Sequence, residues 1–217
     1  MSLAEPMDPN RVGDLPIEGG EAPGRGLGGP APVRIVVGYG FWIFILSDMV
    51  MFSAFFAAYA VLAGATAGGP TAKQIFDLNN VAIETGCLLA SSFACGMASL
   101  AAGARNPLWF HVSMAATFVL GAIFLGLELK EFAGLAAQGA GPQRSAFLSA
   151  FFTLVGCHGA HITAGLLWLL TMSAQVVAKG FRADIMRRIL CFTLFWHALD
   201  IIWVAIFTIV YLIGAGR

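Results

Sequence analysis

The sequence predicts an all-α membrane protein built as a five-transmembrane-helix bundle. Three observations carry that reading. The chain has 217 residues, of which 59% are hydrophobic and 11% charged, whereas a soluble domain is about 25% charged. Its mean hydropathy is +0.82. Five apolar segments follow one another with short polar breaks, each longer than the ~20 residues that cross a bilayer core. This composition excludes an ordinary soluble enzyme and a disordered chain. Formal net charge is zero, so no basic surface for nucleic acid is implied.

Residues 1–33 differ from the rest. Six of the nine prolines lie here (Pro6, Pro9, Pro16, Pro23, Pro30 and Pro32), with many glycines and five acids. Such a segment cannot bury enough apolar surface to fold. It has no apolar stretch after a basic start, so it does not read as a cleavable signal peptide. The expectation is a disordered cytoplasmic tail.

Residues 34–217 form the membrane domain. The spans are predicted at about 36–62, 78–103, 108–137, 145–178 and 185–214. Their surplus length implies tilt or extension past the headgroups. The breaks carry loop chemistry: Gly68-Gly69-Pro70, Asn106-Pro107, and Gly139 through Pro142. Pro107 and Pro142 stand where a helix would start, which suits proline. No internal repeat of the inverted-transporter kind is visible.

Topology follows from the basic residues. The tail side holds Arg11, Arg25, Arg34, Arg105, Lys179, Arg182, Arg187 and Arg188, eight in all; Lys73, Lys130, Arg144 and Arg217 lie on the other side. The N-terminus is therefore expected in the cytoplasm and the C-terminus in the periplasm.

Polar residues at bilayer depth are few, and each costs at least ~2.5–3.5 kcal/mol on insertion scales. They are Asp48, Glu84, Glu128, Glu131, His158, His161, His197 and Asp200. Glu84 shares a helix face with Cys87 and Ser91. It reads as a protonated acid hydrogen-bonded within the bundle, or as a proton-relay group. Glu128 and Glu131 share a face near the outer end of the third span, where solvation or pairing is expected; the alternative is a paired-carboxylate acid/base site.

His158 and His161 stand at i, i+3 in Gly-Cys-His-Gly-Ala-His. Two histidines on one face can bind metal, with His197 as a third ligand. Gly156, Gly159 and Gly165 favour close helix packing with the histidines bridging helices; a haem ligand is the other alternative. His197 and Asp200 are spaced to pair on the fifth span or to join the His158/His161 cluster. Trp196, Asp200, Trp203 and Phe207 lie near one stripe, which reads as packing. Asp48 follows Ser47 in the first span and is expected to meet one of these groups.

Four cysteines (Cys87, Cys95, Cys157 and Cys191) form no C-x-x-C pair, so they read as small buried hydrophobes. Four histidines would be used up by two six-coordinate haems before any copper was bound. No nucleotide loop, nucleophile elbow or HExxH motif is present. The sequence gives no autonomous catalytic site, and no cofactor is expected in this chain.

Four strings, in order, resemble subunit III of the haem-copper terminal oxidases. Gly40-Phe41-Trp42-Ile43-Phe44-Ile45-Leu46-Ser47-Asp48, followed by Phe55-Phe56-Ala57-Ala58-Tyr59, is similar to a helix of that family. Glu128-Leu129-Lys130-Glu131-Phe132 resembles a second motif. His158-Gly159-Ala160-His161-Ile162-Thr163-Ala164-Gly165 resembles H-G-x-H-V-x-x-G, and Trp196-His197-Ala198-Leu199-Asp200-Ile201-Ile202-Trp203 resembles W-H-F-x-D-x-x-W. The two extra N-terminal helices of the seven-helix form have no counterpart here. Gly68 through Phe76 and Gly141 through Phe152 are similar to the bacterial cytochrome o (bo-type) ubiquinol oxidase; five-helix cytochrome c oxidases are the alternative branch.

The resemblance implies a non-catalytic subunit of a proton-pumping oxygen reductase in the bacterial cytoplasmic (inner) membrane. The complex would oxidise ubiquinol and reduce oxygen to water, with haems and copper in subunit I. Subunits I, II and IV and bound phospholipid are the implied partners. The subunit's implied roles are to stabilise subunit I and support proton uptake. On this reading His158, His161, His197, Glu84 and Asp200 form one internal polar network. An autonomous proton-coupled transporter and a small haem-binding electron carrier are the other classes the residues allow.

Overall fold

The computed structural model describes residues 33–215; the predicted tail lies outside them, apart from Val33. Every regular element among the described residues is helical. In chain order these are α1 (Val33–Leu62), the short α2 (Ala72–Ile75), α3 (Leu78–Gly103), α4 (Pro107–Ala137), α5 (Ala146–Lys179) and α6 (Ala183–Ile206). A π-helical segment, Phe207–Leu212, continues α6 and leads into α7 (Ile213–Ala215). Five of these stretches are long and apolar enough to cross a membrane. The first starts at Val33 rather than 36, and the last at Ala183 rather than 185.

Local chemistry sets the starts. Asp77 accepts a hydrogen bond from the Asn79 amide at the head of α3, 3.0 Å. Asn106 does the same for Trp109 at the head of α4, 3.3 Å, with Pro107 as the first helical residue. Both satisfy amides that a helix leaves free at its first turn. Ser145, and not Pro142, caps α5: its hydroxyl accepts from the Leu148 amide at 3.2 Å. Gly180, at φ 70°, ends α5 in a conformation that favours glycine.

Successive spans run in opposite directions. The Phe147 amide bonds the Ala65 carbonyl, so the end of α1 meets the start of α5. At the opposite end, Phe110 packs on Phe181 and Arg188 bonds Gln175. We call the end where α1 begins the near end and the other the far end. Among the described residues the near end carries Arg105, Lys179, Arg182, Arg187 and Arg188, and the far end Lys73, Arg144 and, inside the last turns of α4, Lys130.

α3 packs along α4 and α6, and α5 packs on α4, α6 and α1. α1 leans chiefly on α5 and α6 through a seam of Ile45, Phe52 and Tyr59. Those residues recur every seventh position, the spacing of a helix-packing seam. α1 is the least enclosed span and α6 the most.

Two indoles fasten α6 to α3. Trp196 Nε1 donates to Ser91 Oγ at 3.1 Å, and Trp203 Nε1 donates to Thr85 Oγ1 at 3.0 Å. The Trp196 ring occupies space left by two glycines: a Cβ on Gly121 of α4 would stand 3.0 Å from it, and one on Gly165 of α5 2.8 Å. Small residues let helices approach where lipid offers no hydrophobic drive for association.

Candidate functional site

Local contacts sort the eight predicted polar residues into several groups, of which those of His158 and His161 adjoin: the two imidazoles are electrostatic neighbours and both lie against Phe52. The largest group lies in the far half of the bundle. Glu84 stands on α3, fully buried, and accepts a hydrogen bond from Asn80 Nδ2 at 3.0 Å. Glu128 of α4 is 2% exposed, and its carboxyl lies against Gly159, where a Cβ would fall 2.6 Å from Oε1. Glu131 is half-buried and accepts from the Tyr211 hydroxyl at 3.2 Å. Glu84, Glu128, Glu131 and Tyr211 lie close enough to interact electrostatically.

The burial of Glu128 corrects the expectation of a solvated or paired boundary group. α4 runs on to Ala137, which sets Glu128 nine residues inside the helix, ~14 Å from its end. Gly159 of α5 then leaves a berth for a carboxyl that lipid would not accept. Glu84 Oε2 and Glu128 Oε2 are buried and complete no hydrogen bond.

Tyr211 was not singled out from the sequence. It reaches Glu131 from the π-helical segment, whose wider turn departs from the 3.6-residue period. Its ring is fully buried against Phe76, 4.7 Å between centroids, and Phe151, 6.0 Å. Asn80 stood one turn before Glu84, the i, i+4 spacing that lets two side chains meet.

His158 forms the second group. Its ring is enclosed by Phe52, Phe124 and Trp203, at centroid distances of 6.3, 5.8 and 5.3 Å. Neither ring nitrogen completes a hydrogen bond, so His158 bridges helices by packing and not by the hydrogen bonds expected of it.

His161 and Asp48 each neighbour Cys157, at the contact of α1 and α5. His161 Nδ1 donates to the Cys157 carbonyl of its own helix, 2.7 Å, and its ring lies 5.4 Å from that of Phe52. Asp48 is half-buried, and its electrostatic neighbour is Cys157 rather than one of the buried acids or histidines expected for it.

His197 and Asp200 form a further group, on the side of α6 that faces α3. Asp200 lies beside Ser92 and His197. The Ser92 hydroxyl is a hydrogen-bonding neighbour of the Asp200 carboxyl, and the Thr193 hydroxyl of the Cys95 thiol. His197 looks into a groove between α3 and α6. It therefore does not join His158 and His161. Among the described residues no three His, Cys, Asp or Glu side chains converge to hold a metal ion. The carrier reading, which needs His197 opposite His158 or His161, lacks that juxtaposition.

Five apolar spans locked by indoles, glycines and buried carboxyls define a multi-pass membrane protein of the helical-bundle class. The sequence profile of the cytochrome c oxidase subunit III family matches residues 25–215, and the chain belongs to that family, subunit III of the haem-copper terminal oxidases. Among its relatives is the cytochrome bo(3) ubiquinol oxidase subunit 3 of Pseudomonas aeruginosa, 51% identical over 181 residues, covering 82% of this chain and 85% of the relative. The protein of the same name from Buchnera aphidicola of Acyrthosiphon pisum is 41% identical over 177 residues, 82% and 86% of the two chains. Quinol oxidase subunit 3 of Bacillus subtilis is 40% identical over 181 residues, 82% and 87%.

Proposed function

We propose that this chain is the non-catalytic subunit III of a proton-pumping ubiquinol oxidase in a bacterial cytoplasmic membrane. The observation that carries the reading is the 51% identity to a cytochrome bo(3) ubiquinol oxidase subunit 3 across 82% of the chain. In this reading subunit I holds the haems and copper and reduces oxygen to water with electrons from ubiquinol. Subunits I, II and IV are the protein partners, and phospholipid fills the open flank of α1. The near end, with Arg105 and the basic cluster Lys179, Arg182, Arg187 and Arg188 around the α5–α6 turn, faces the cytoplasm, as the positive-inside rule favours.

The role of the chain is to stabilise subunit I and to support proton uptake. The locked interior supports the first part. Indole hydrogen bonds and glycine-seated rings make a stiff bundle, and a stiff bundle offers a neighbour a surface of fixed shape. Its exposed apolar faces suit burial against membrane protein or lipid.

The test is purification of the tagged chain from membranes in mild detergent, with mass spectrometry of what accompanies it. Co-purification of a haem-containing subunit I with ubiquinol oxidase activity supports the reading. A monodisperse chain recovered alone overturns it. The family description, cytochrome c oxidase subunit III, favours a second reading with cytochrome c as donor. Turnover of the purified complex with each donor separates the two.

A further inference from the structure

The near end of the bundle gathers positive charge that the described residues do not balance. Phe110 of α4 lies edge-on to Phe181, 5.5 Å between centroids, which brings the α3–α4 turn and the α5–α6 turn together. Arg105 stands exposed in the first turn, and Lys179, Arg182, Arg187 and Arg188 surround the second. Against these five cations the described residues set one acid at this end, Asp184, 3.4 Å from Arg182. Arg188 donates to Gln175 at 2.8 Å. Among the described residues, the side chains of Arg105, Lys179 and Arg187 have no hydrogen-bond or ion-pair partner. Arg105 adds its charge at a backbone position, φ 52°, that favours glycine.

The described chain begins beside this cluster. A Cβ on Gly38 of α1 would stand 3.8 Å from Leu190 of α6, and both helices start at the near end. Five residues back along each, ~7.5 Å, Val33 comes level with Ile185, which lies between Arg182 and Arg187 in sequence. Residues 1–32 therefore join the bundle next to the cluster. They carry Glu5, Asp8, Asp14, Glu18 and Glu21 against Arg11 and Arg25, an excess of three negative charges. Residues 22–32, between Glu21 and the start of α1, hold no acid, with four glycines and three prolines. Extended, this linker reaches up to ~40 Å, several times the ~8–10 Å between neighbouring helix axes. Asp14, Glu18 and Glu21 are thus within reach of the whole cluster. The covalent link holds them there at an effective concentration on the order of mM.

We propose that the acidic stretch Asp14–Glu21 docks on the near-end cluster of its own chain, with Asp14, Glu18 and Glu21 pairing with Arg105, Lys179 and Arg187 and covering them from other anions. Anionic phospholipid competes for the same cations. The tail is favoured because it joins the bundle at the cluster and brings an opposite charge excess of similar size. The inference holds for either orientation of the bundle, because the segment and the cluster share one end, and it stands apart from the oxidase reading.

The test treats the complete complex, reconstituted in phosphatidylcholine vesicles at low salt, with a water-soluble carbodiimide. The reagent activates a carboxylate, and an amine in contact displaces it to form an amide. Lys179 is the one amine among the five cations. The expected product is a peptide pair joining Asp14, Glu18 or Glu21 to Lys179, identified by mass spectrometry, with no such pair to Lys73 at the far end. Amide formation between Lys179 and another subunit instead, or no amide to the tail, overturns the proposal. Arg105→Gln combined with Arg187→Gln leaves Lys179 in place and should cut the yield about threefold or more. An unchanged yield would mean chance encounter of a tethered chain and overturns docking. Replacing part of the phosphatidylcholine by anionic phosphatidylglycerol should leave the pair in place; its loss there assigns the cluster to lipid and overturns the proposal.

Discussion

The imidazole of His158 lies stacked on the indole of Trp203, with ring centroids 5.3 Å apart and planes 29° apart. The Trp203 nitrogen points away from that stack to Thr85 of α3. One indole thus joins three helices, taking packing from α5 and a hydrogen bond from α3. His158 contributes as a flat ring, because neither of its nitrogens has a partner.

His158→Leu should therefore cost little stability. A buried polar group without a partner carries a desolvation penalty of ~1–3 kcal/mol that an apolar side chain avoids, offset by lost ring contacts. The expected melting temperature of the detergent-solubilised complex is unchanged or higher. A marked fall would show that His158 makes a polar contact after all.

The Trp203–Thr85 bond predicts a measurable coupling. Trp203→Phe and Thr85→Val each remove it, and Trp203→Phe keeps a ring against His158. Interhelical bonds in membranes average ~0.6 kcal/mol and reach ~1.7. A double-mutant cycle on unfolding should return a coupling in that range. Strict additivity would mean that the bond contributes nothing.

Gly165→Ala should be harmful because the new methyl would meet Trp196 at 2.8 Å, and Gly121→Ala should follow it at 3.0 Å. Overpacking of this kind costs ~1–3 kcal/mol. Gly126→Ala on the same helix as Gly121 meets nothing within 4 Å and serves as control. Thermal melting of the three variants should rank them in that order of damage; equal melting would remove the glycine argument.

The berth of Glu128 predicts a rescue. Gly159→Ala places a methyl 2.6 Å from the carboxyl and should lower the assembly yield. Glu128→Ala removes the obstructing atoms. The double variant should then recover yield relative to Gly159→Ala alone, a non-additivity expected of touching residues. Equal or lower yield in the double variant would place the conflict elsewhere.

The span architecture was legible in the sequence because it rests on length and hydropathy, which need no partner. The starts at Asp77 and Asn106 were legible for the same reason: caps are local. The grouping of polar residues was not. His197 shares α6 with Trp196, but only the helix phase decides which side chain turns toward α3 and which into the bundle. Glu84 and Glu128 are electrostatic neighbours across two helices, a relation that no spacing along the chain encodes. Gly159 was read as a site of close helix approach, whereas its space is taken by a carboxyl. Tyr211 was hidden because the π-helical turn breaks the period used to assign faces.

The way α1 is held has a consequence for biosynthesis. Its seam of Ile45, Phe52 and Tyr59 rests chiefly on α5 and α6, which emerge from the ribosome more than eighty residues later. During translation the first span must wait in lipid while α3 and α4 pair beside it. The indoles that fasten α3 arrive only with the last span, so the bundle closes in a single late step. Premature termination before Trp196 would leave α3 without either of its indole bonds to α6, a natural substrate for membrane quality-control proteases.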